Sequence, residues 1–246
     1  ALAACGGTAT TLACLDLGLA TYAPARVHGH VLTRASLARQ RAGLDVWGPG
    51  KPRRTFGAKH WAEPVAWNRA AAAEGRRHHV FTSSMCDVFE DHPTIAAERA
   101  KLWPLIRATP WLDWQILTKR PENIAANLPA DWGEGYPNAW LGVTVEHMDT
   151  AHRARTLAAV PAVVRFVSYE PALGPLDDLD LSGIDWLIYG GESGPGYRPH
   201  DIAWPRAMRA KCEAAGVPYF FKQSSAIRTD MGVTLDGEIV RAYPTP

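Results

Sequence analysis

The sequence predicts an α/β fold of parallel strand-helix repeats that form a full or partial (β/α) barrel, and three observations carry that expectation. From His78 onward, short β-branched or aromatic runs alternate with helical stretches, the pattern of βαβ units. The runs are nearly continuous in apolar residues, as parallel strands covered on both faces require. Each run also ends in ionisable or hydroxyl residues, and in parallel α/β folds ligands bind beyond the carboxyl ends of the strands.

The first run, His79 to Ser84, is followed by Met85-Cys86-Asp87 and a helix over about Ile95 to Arg107. The second, Trp114 to Thr118, stops at Lys119-Arg120-Pro121, where proline suits the first turn of a helix reaching Leu128. Ala139 to Glu146 is the third, with a helix from about Asp149 to Ala159, and Val163 to Ser168 the fourth, ending at Tyr169-Glu170-Pro171. The fifth, Asp185 to Tyr189, closes on Gly190-Gly191-Glu192-Ser193-Gly194-Pro195-Gly196. A helix near Trp204 to Ala215 then leads to the sixth run, ending at Phe220-Phe221-Lys222-Gln223. The intervals leave room for a right-handed crossover helix each time. A further strand is expected over Leu12 to Tyr22. Residues 24–75 read as an irregular insertion over the barrel mouth, with a loop signal at Trp47 to Pro52 and helical stretches only at Ala35 to Arg41 and Pro64 to Ala73.

The 246 residues are read as one domain, 1–246. Apolar residues make up 47%, and 26 Lys plus Arg nearly balance 25 Asp plus Glu, a composition that excludes a disordered chain and a polybasic nucleic-acid carrier. The four cysteines, Cys5, Cys14, Cys86 and Cys212, are too sparse for a disulfide-stapled secreted fold, so a reducing, cytoplasmic compartment is expected. Leu2-Ala3-Ala4-Cys5-Gly6 has the look of a lipoprotein cleavage site, but no charged or long apolar region precedes it, and no membrane partner is expected.

The strand-end residues are the candidates for chemistry: Ser83, Ser84 and Asp87; Thr118, Lys119 and Arg120; Thr144 and Glu146; Ser168 and Glu170; Glu192 and Ser193; Lys222 and Gln223. Ordinary turn polarity and helix capping are the bland explanation of any one of them. As a group, Lys119, Glu146, Glu170, Glu192 and Lys222 come from five strands yet converge on one pocket if the strands run in order. That mixture suits acid-base work or a zwitterionic ligand. The glycines from Gly190 to Gly196 would let backbone amides approach a phosphate, carboxylate or adenosyl group. They match neither dinucleotide-binding nor Walker-type spacing. His28 and His30 alternate as weak metal-ligand candidates, and no cysteine pair has C-x-x-C spacing. Ser83-Ser84 lacks a nucleophile-elbow context. Ten tryptophans, several near arginines between residues 47 and 79, fit stacking and pairing with single-stranded nucleic acid through Arg53, Arg54 and Arg76. Core packing is the better explanation of most of them.

Specific blocks lie between Thr55 and Gln223. They are Trp67-Asn68-Arg69, the Val80 to Phe89 strand end, Leu117 to Ile124, Trp140 to Glu146, Ser168 to Leu176, Gly190 to Gly194 and Phe220 to Gln223. On these the chain resembles a family of phage and prophage-borne bacterial proteins of unknown function, described by a three-cysteine motif and regarded as radical-SAM-like. The resemblance implies a barrel enzyme with an iron-sulfur cluster and S-adenosylmethionine, its adenosyl ligand against Gly190, Gly191, Glu192, Ser193 and Gly194. Glu192 would pair with the ligand's amino group, and Lys119, Glu146, Glu170 and Lys222 would position substrate or move protons. The motif's three cysteines have no counterpart near Ala25 to Arg39, although Arg26-Val27 and Ser36 to Arg39 are similar to its flanks. Without thiolates the cluster has no ligands. The chain is then either a member that has lost its cluster or one whose first 35 or so residues depart from the frame of the rest.

Three functional readings follow. The first is a radical-SAM-like enzyme, or a degenerate relative, acting on a nucleotide, DNA or RNA substrate. The second is a non-catalytic, phage-associated module that binds DNA or a phage-encoded protein partner. The third is a cluster-free lyase or hydrolase using the carboxylates directly.

Overall fold

A computed structural model describes residues 53, 55, 57–82 and 86–245. Two compact units divide the chain after residue 55, and of the first only Arg53 and Thr55 belong to the described residues. The expected strand at Leu12 to Tyr22, the Leu2 to Gly6 segment, His28 and His30, the helical stretch Ala35 to Arg41, the loop at 47–52, Arg54, Ser83 and Ser84 lie outside them.

The second unit is built on a six-stranded, all-parallel sheet in the order β1 (His78–Thr82), β2 (Leu112–Thr118), β3 (Ala139–Thr144), β4 (Val164–Tyr169), β5 (Trp186–Gly190) and β6 (Tyr219–Gln223). Sequence order and spatial order coincide, so each strand pairs with the next in the chain. A sheet wound in one direction keeps its crossovers on one face, and here the sheet curls into half a barrel. The C-terminal segment shows how far the curl goes. The Tyr243 ring lies 4.8 Å from that of His79 on β1 and 5.2 Å from that of Phe220 on β6, so one side chain meets both edge strands.

The helix α1 (Ala58–Glu74) precedes β1, and α2 (Pro93–Ala108), α3 (Ile124–Asn127), α4 (His152–Ala158) and α5 (Ala203–Ala215) intervene between strands, with 3-10 turns at Pro121–Asn123 and Met148–Thr150. Pro64 to Ala73, read as helical, is part of a longer helix, Ala58–Glu74, which begins six residues earlier than expected and contacts α2, β1 and β2. Its fastenings are polar: the Trp61 indole donates to Glu98 at 2.9 Å, and the Asn68 carbonyl accepts from the Trp111 amide at 2.8 Å. Pro93 begins α2 behind His92, whose ring accepts from the Thr94 amide at 3.2 Å. The helix expected over Asp149 to Ala159 is divided, because the His147 and Thr150 side chains cap a separate 3-10 turn before α4 starts.

Strand parity separates two apolar clusters, since successive side chains point to opposite faces. Trp114, Ile116, Leu141, Val143, Val167, Tyr169, Leu187, Tyr189 and Phe221 belong to the large core that also holds helix residues such as Leu102, Leu157 and Met208. Trp140, Val164, Phe166 and Trp186 form a second cluster on the inner, concave face, with Leu117, Ile188 and Phe220 against it. Gly142 has no alternative there, because a Cβ on it would stand 2.2 Å from the Phe166 ring. The tail seals the lower end of this inner cluster. The Phe221 amide donates to Val240, the Ala242 amide to Tyr219 and the Trp186 indole to Ala242, at 2.8, 3.0 and 2.8 Å. Among the described residues no helix is long and apolar enough to cross a membrane.

Candidate functional site at the strand carboxyl ends

The parity that puts Trp140, Val164 and Phe166 on the concave face carries forward along each strand. Trp140, Gly142, Thr144 and Glu146 share one side of β3 and its extension; Val164, Phe166, Ser168 and Glu170 share that side of β4. The register pairs Thr144 with Ser168, so Glu146 and Glu170, two residues further on, sit side by side at the same height. Leu117 and Lys119 follow the same rule on β2, and Phe220 and Lys222 on β6.

Two ion pairs result. Lys119 bonds the Glu146 carboxylate, whose other oxygen accepts from Arg153 at 2.9 Å. Lys222 Nζ lies 2.7 Å from Glu170 Oε1. Burial alone would raise the pKa of Glu146, but the hydrogen bond and charge of Lys119, with the charge of Arg153, outweigh it and hold the carboxyl below its ordinary value. Glu146 is therefore an ionised acceptor at neutral pH. Beneath these pairs lie the Thr144 and Ser168 hydroxyls and the Phe166 ring.

The rim is charge-neutral. Lys119, Arg120, Arg153 and Lys222 stand against Asp87, Glu90, Glu146 and Glu170, each within 4 Å of an opposite charge. A neutral rim has no net field with which to gather a polyphosphate, whereas a ligand carrying both signs can exchange partners with existing pairs. The Lys119 and Lys222 side chains are half exposed, and such pairs are worth under about 1 kcal/mol, so opening them costs little.

The glycine-rich loop plays a different part from the one expected. Its amides are occupied: Gly191 donates to Gln223 and Gly194 to Ala226, while Ala226 donates back to Glu192. The β5–β6 pairing thus continues past a bulge into the loops, reinforced by Gln223, which donates to the Gly191 carbonyl and accepts from the Asp230 amide. A Cβ on Gly190 would stand 2.7 Å from the Glu170 carboxyl carbon, and one on Gly191 2.1 Å from the Ser225 amide. Gly190 makes room for the Glu170–Lys222 pair, and Gly191 for the returning chain. Glu192 turns to its own loop, accepting from the Arg198 amide and guanidinium at 2.6–2.9 Å. Those bonds pull its pKa down to about 2. Ser193 bridges Ala226.

Asp87 is a structural member of the rim. It accepts from the Thr118 hydroxyl, the Phe89 and Lys119 amides and the Arg120 guanidinium, at 2.7 to 3.1 Å, tying the loop after β1 to the end of β2. Arg76 precedes β1, at the opposite end of the sheet from the rim, and its guanidinium is 3.1 Å from Glu74. Arg53 belongs to the other unit, and Arg54 lies outside the described residues. Sequence reasoning missed Arg153, on the first turn of α4; only its place just after a strand end pointed to it. It also missed Phe166 as a floor and the indole of Trp140, both hidden by apolar runs that do not advertise which face is concave.

An open depression of about 800 Å³ lies at the other end of the sheet, among Asp178, Asp180, Asp185, Lys211, Val217 and Pro244. Loops at the amino ends of strands line it. The rim is preferred because it alone combines paired charges of both signs with a concave floor reached by four strands.

Such a parallel half-barrel places the chain among α/β proteins, a fold class in which ligands commonly bind beyond the strand carboxyl ends. Within that class, the chain belongs to the family described as "Protein of unknown function (DUF5131)", whose profile matches residues 6–244. Comparisons with curated proteins and with solved structures gave no match.

Proposed function

We propose that the protein is an enzyme, or derives from one, that binds a small zwitterionic ligand at this rim and acts on a nucleotide or nucleic-acid substrate. The observation that supports it is the pair of adjacent, partly exposed lysine–glutamate bridges standing over a buried hydroxyl-lined floor. S-Adenosylmethionine, which the resemblance to radical-SAM-like phage proteins implies, suits this donor set. Glu146 and Glu170 would accept from its ammonium, and Lys119 and Lys222 would bond its carboxylate. The residues Gly190 to Gly194 would then contribute by shaping the wall, since the amides of Gly191 and Gly194 are taken.

An iron-sulfur cluster does not fit the described residues. Cys212 is buried in the core, where burial pushes its thiol up to about 12, and Cys86 is exposed on the loop after β1. No group of three metal-ligating side chains forms among the described residues. Cys5, Cys14 and the stretch from Ala25 to Arg39 lie outside them. The alternative of a non-catalytic module for DNA or a phage-encoded partner depends on Arg53, Arg54 and Arg76, and no observation favours it.

Calorimetric titration with S-adenosylmethionine tests the reading. The wild type should bind, Glu170→Gln and Lys222→Met should each bind at least about tenfold more weakly, and unfolding midpoints should barely move because an exposed pair is worth so little. No binding by the wild type, or binding by both variants as tight as the wild type's, would overturn it.

A further inference from the structure

The rings of the inner cluster form an unbroken line from a buried indole to an exposed phenol. Trp140, 1% exposed, stands 5.9 Å from Trp186, 2% exposed, and Trp186 stands 5.3 Å from Tyr243, which is 45% exposed. Indole and phenol give up a single electron far more readily than the benzyl ring of phenylalanine does. Phe166 and Phe220, 5.7 and 5.9 Å from Trp186, therefore flank the line without extending it. Rings in such contact exchange an electron by tunnelling, so the line needs no opening between them.

The protons decide which way charge runs along it. An indole that loses an electron becomes a cation radical, and it stays a strong oxidant only while it keeps its N–H proton. The Trp140 N–H has no hydrogen-bond partner among the described residues, so no base stands ready to take that proton. Trp186 donates to the Ala242 carbonyl at 2.8 Å, and an amide oxygen is too weak a base to remove it. Tyr243 differs. No hydrogen bond among the described residues engages its hydroxyl, and its ring meets water, which accepts the acidic proton of an oxidised phenol. The neutral phenoxyl radical left behind is a weaker oxidant than either indole cation, so the charge runs outward and stops at the surface. His79 touches both Trp140 and Tyr243, at 5.1 and 4.8 Å, and burial lowers its pKa, so at neutral pH it sets no positive charge against the path. A buried N–H left unpaired destabilises the fold, and a path that requires its proton to stay in place accounts for its retention.

We infer that Trp140, Trp186 and Tyr243 form an exit path that carries oxidising equivalents from the concave face to solvent. A one-electron oxidant of the radical class, formed or arriving on that face, takes an electron from Trp140 and is reduced. Trp186 refills Trp140, Tyr243 refills Trp186, and the Tyr243 phenol proton passes to water. A thiol or ascorbate in solution then restores the phenol by giving it a hydrogen atom. The path does not depend on what binds at the rim.

The test places an oxidant at the rim and looks for the radical at the other end. Lys119, 51% exposed, is replaced by Lys119→Cys carrying a ruthenium polypyridyl photo-oxidant. Cys5, Cys14 and Cys86 are changed to Ser, and Cys212 is buried. After a light flash with a soluble quencher, optical and electron paramagnetic resonance spectra should show a tyrosyl radical. That signal should vanish in Tyr243→Phe, where the indole cation should outlive that of the parent protein, and it should fall to background in Trp186→Phe. Phe166→Leu disturbs the same cluster but keeps both indoles, so it should retain the radical. The inference is overturned if no tyrosyl radical forms, or if the radical survives Tyr243→Phe or Trp186→Phe. Its loss in Phe166→Leu as well would make the effect one of packing and would equally overturn the path.

Discussion

The two ends of the same concave face are built from opposite materials. At the amino ends of the strands the face is closed by rings: Tyr243 touches His79, Trp186 and Phe220, and Trp186 in turn touches Trp140 and Phe166. At the carboxyl ends it is charged and half exposed, with Lys119, Glu146, Glu170 and Lys222 in exchangeable pairs. Both ends obey one parity rule, so the difference lies in where along each strand the sequence turns from apolar to polar. One end holds the half-barrel shut and the other is left available.

That contrast is broken most easily at Trp186. Truncation to Ala should cost about 3–5 kcal/mol in chemical denaturation, because a ring that is 2% exposed leaves a cavity among four aromatic neighbours and frees the Ala242 carbonyl. Lys119→Met at the rim should cost under about 1 kcal/mol by the same measurement. Similar losses at the two sites would erase the distinction between a sealed end and an open one.

A smaller effect should come from pH at the sealed end. Burial among the rings lowers the pKa of His79 below 6.5, a shift that the charge of Asp113 opposes and that of Arg77 assists. A lowered histidine pKa favours the neutral form in the folded state, so its contribution is complete above pH 6.5 and declines as pH falls below it toward the folded value. Stability measured from pH 7.5 down to 5 should therefore fall less steeply in His79→Phe than in the wild type. An unchanged slope would place the ring in a more watery setting than its neighbours imply.

Much of the fold was legible because parallel strands leave long apolar runs. All six strands after residue 78 lie where those runs are, and each ends within a few residues of the polar group expected to close it. The helix at 58–74 was legible only from Pro64 onward, because a proline reads as a helix start although here the helix runs through it, and the alanines leave a weak stripe. The site was legible as a set of residue types and illegible as pairings. Nothing in the sequence says that Glu170 takes Lys222 or that Glu192 takes Arg198, because those choices depend on the bulge at Tyr189/Gly190 and on the loop that follows it. Gly190 and Gly191 looked like ligand-contacting glycines, yet what they accommodate is the protein's own Glu170 and Ser225.

The claim that the carboxyl-end rim binds the ligand is tested most directly by mapping backbone amide shifts while S-adenosylmethionine is added. Binding at the rim predicts changes clustered at residues 119–120, 146–147, 170–174, 190–192 and 222–224, with the amides around Tyr243 unmoved. Changes confined to the depression at the other end, at residues 178–185 and 211–218, would contradict it.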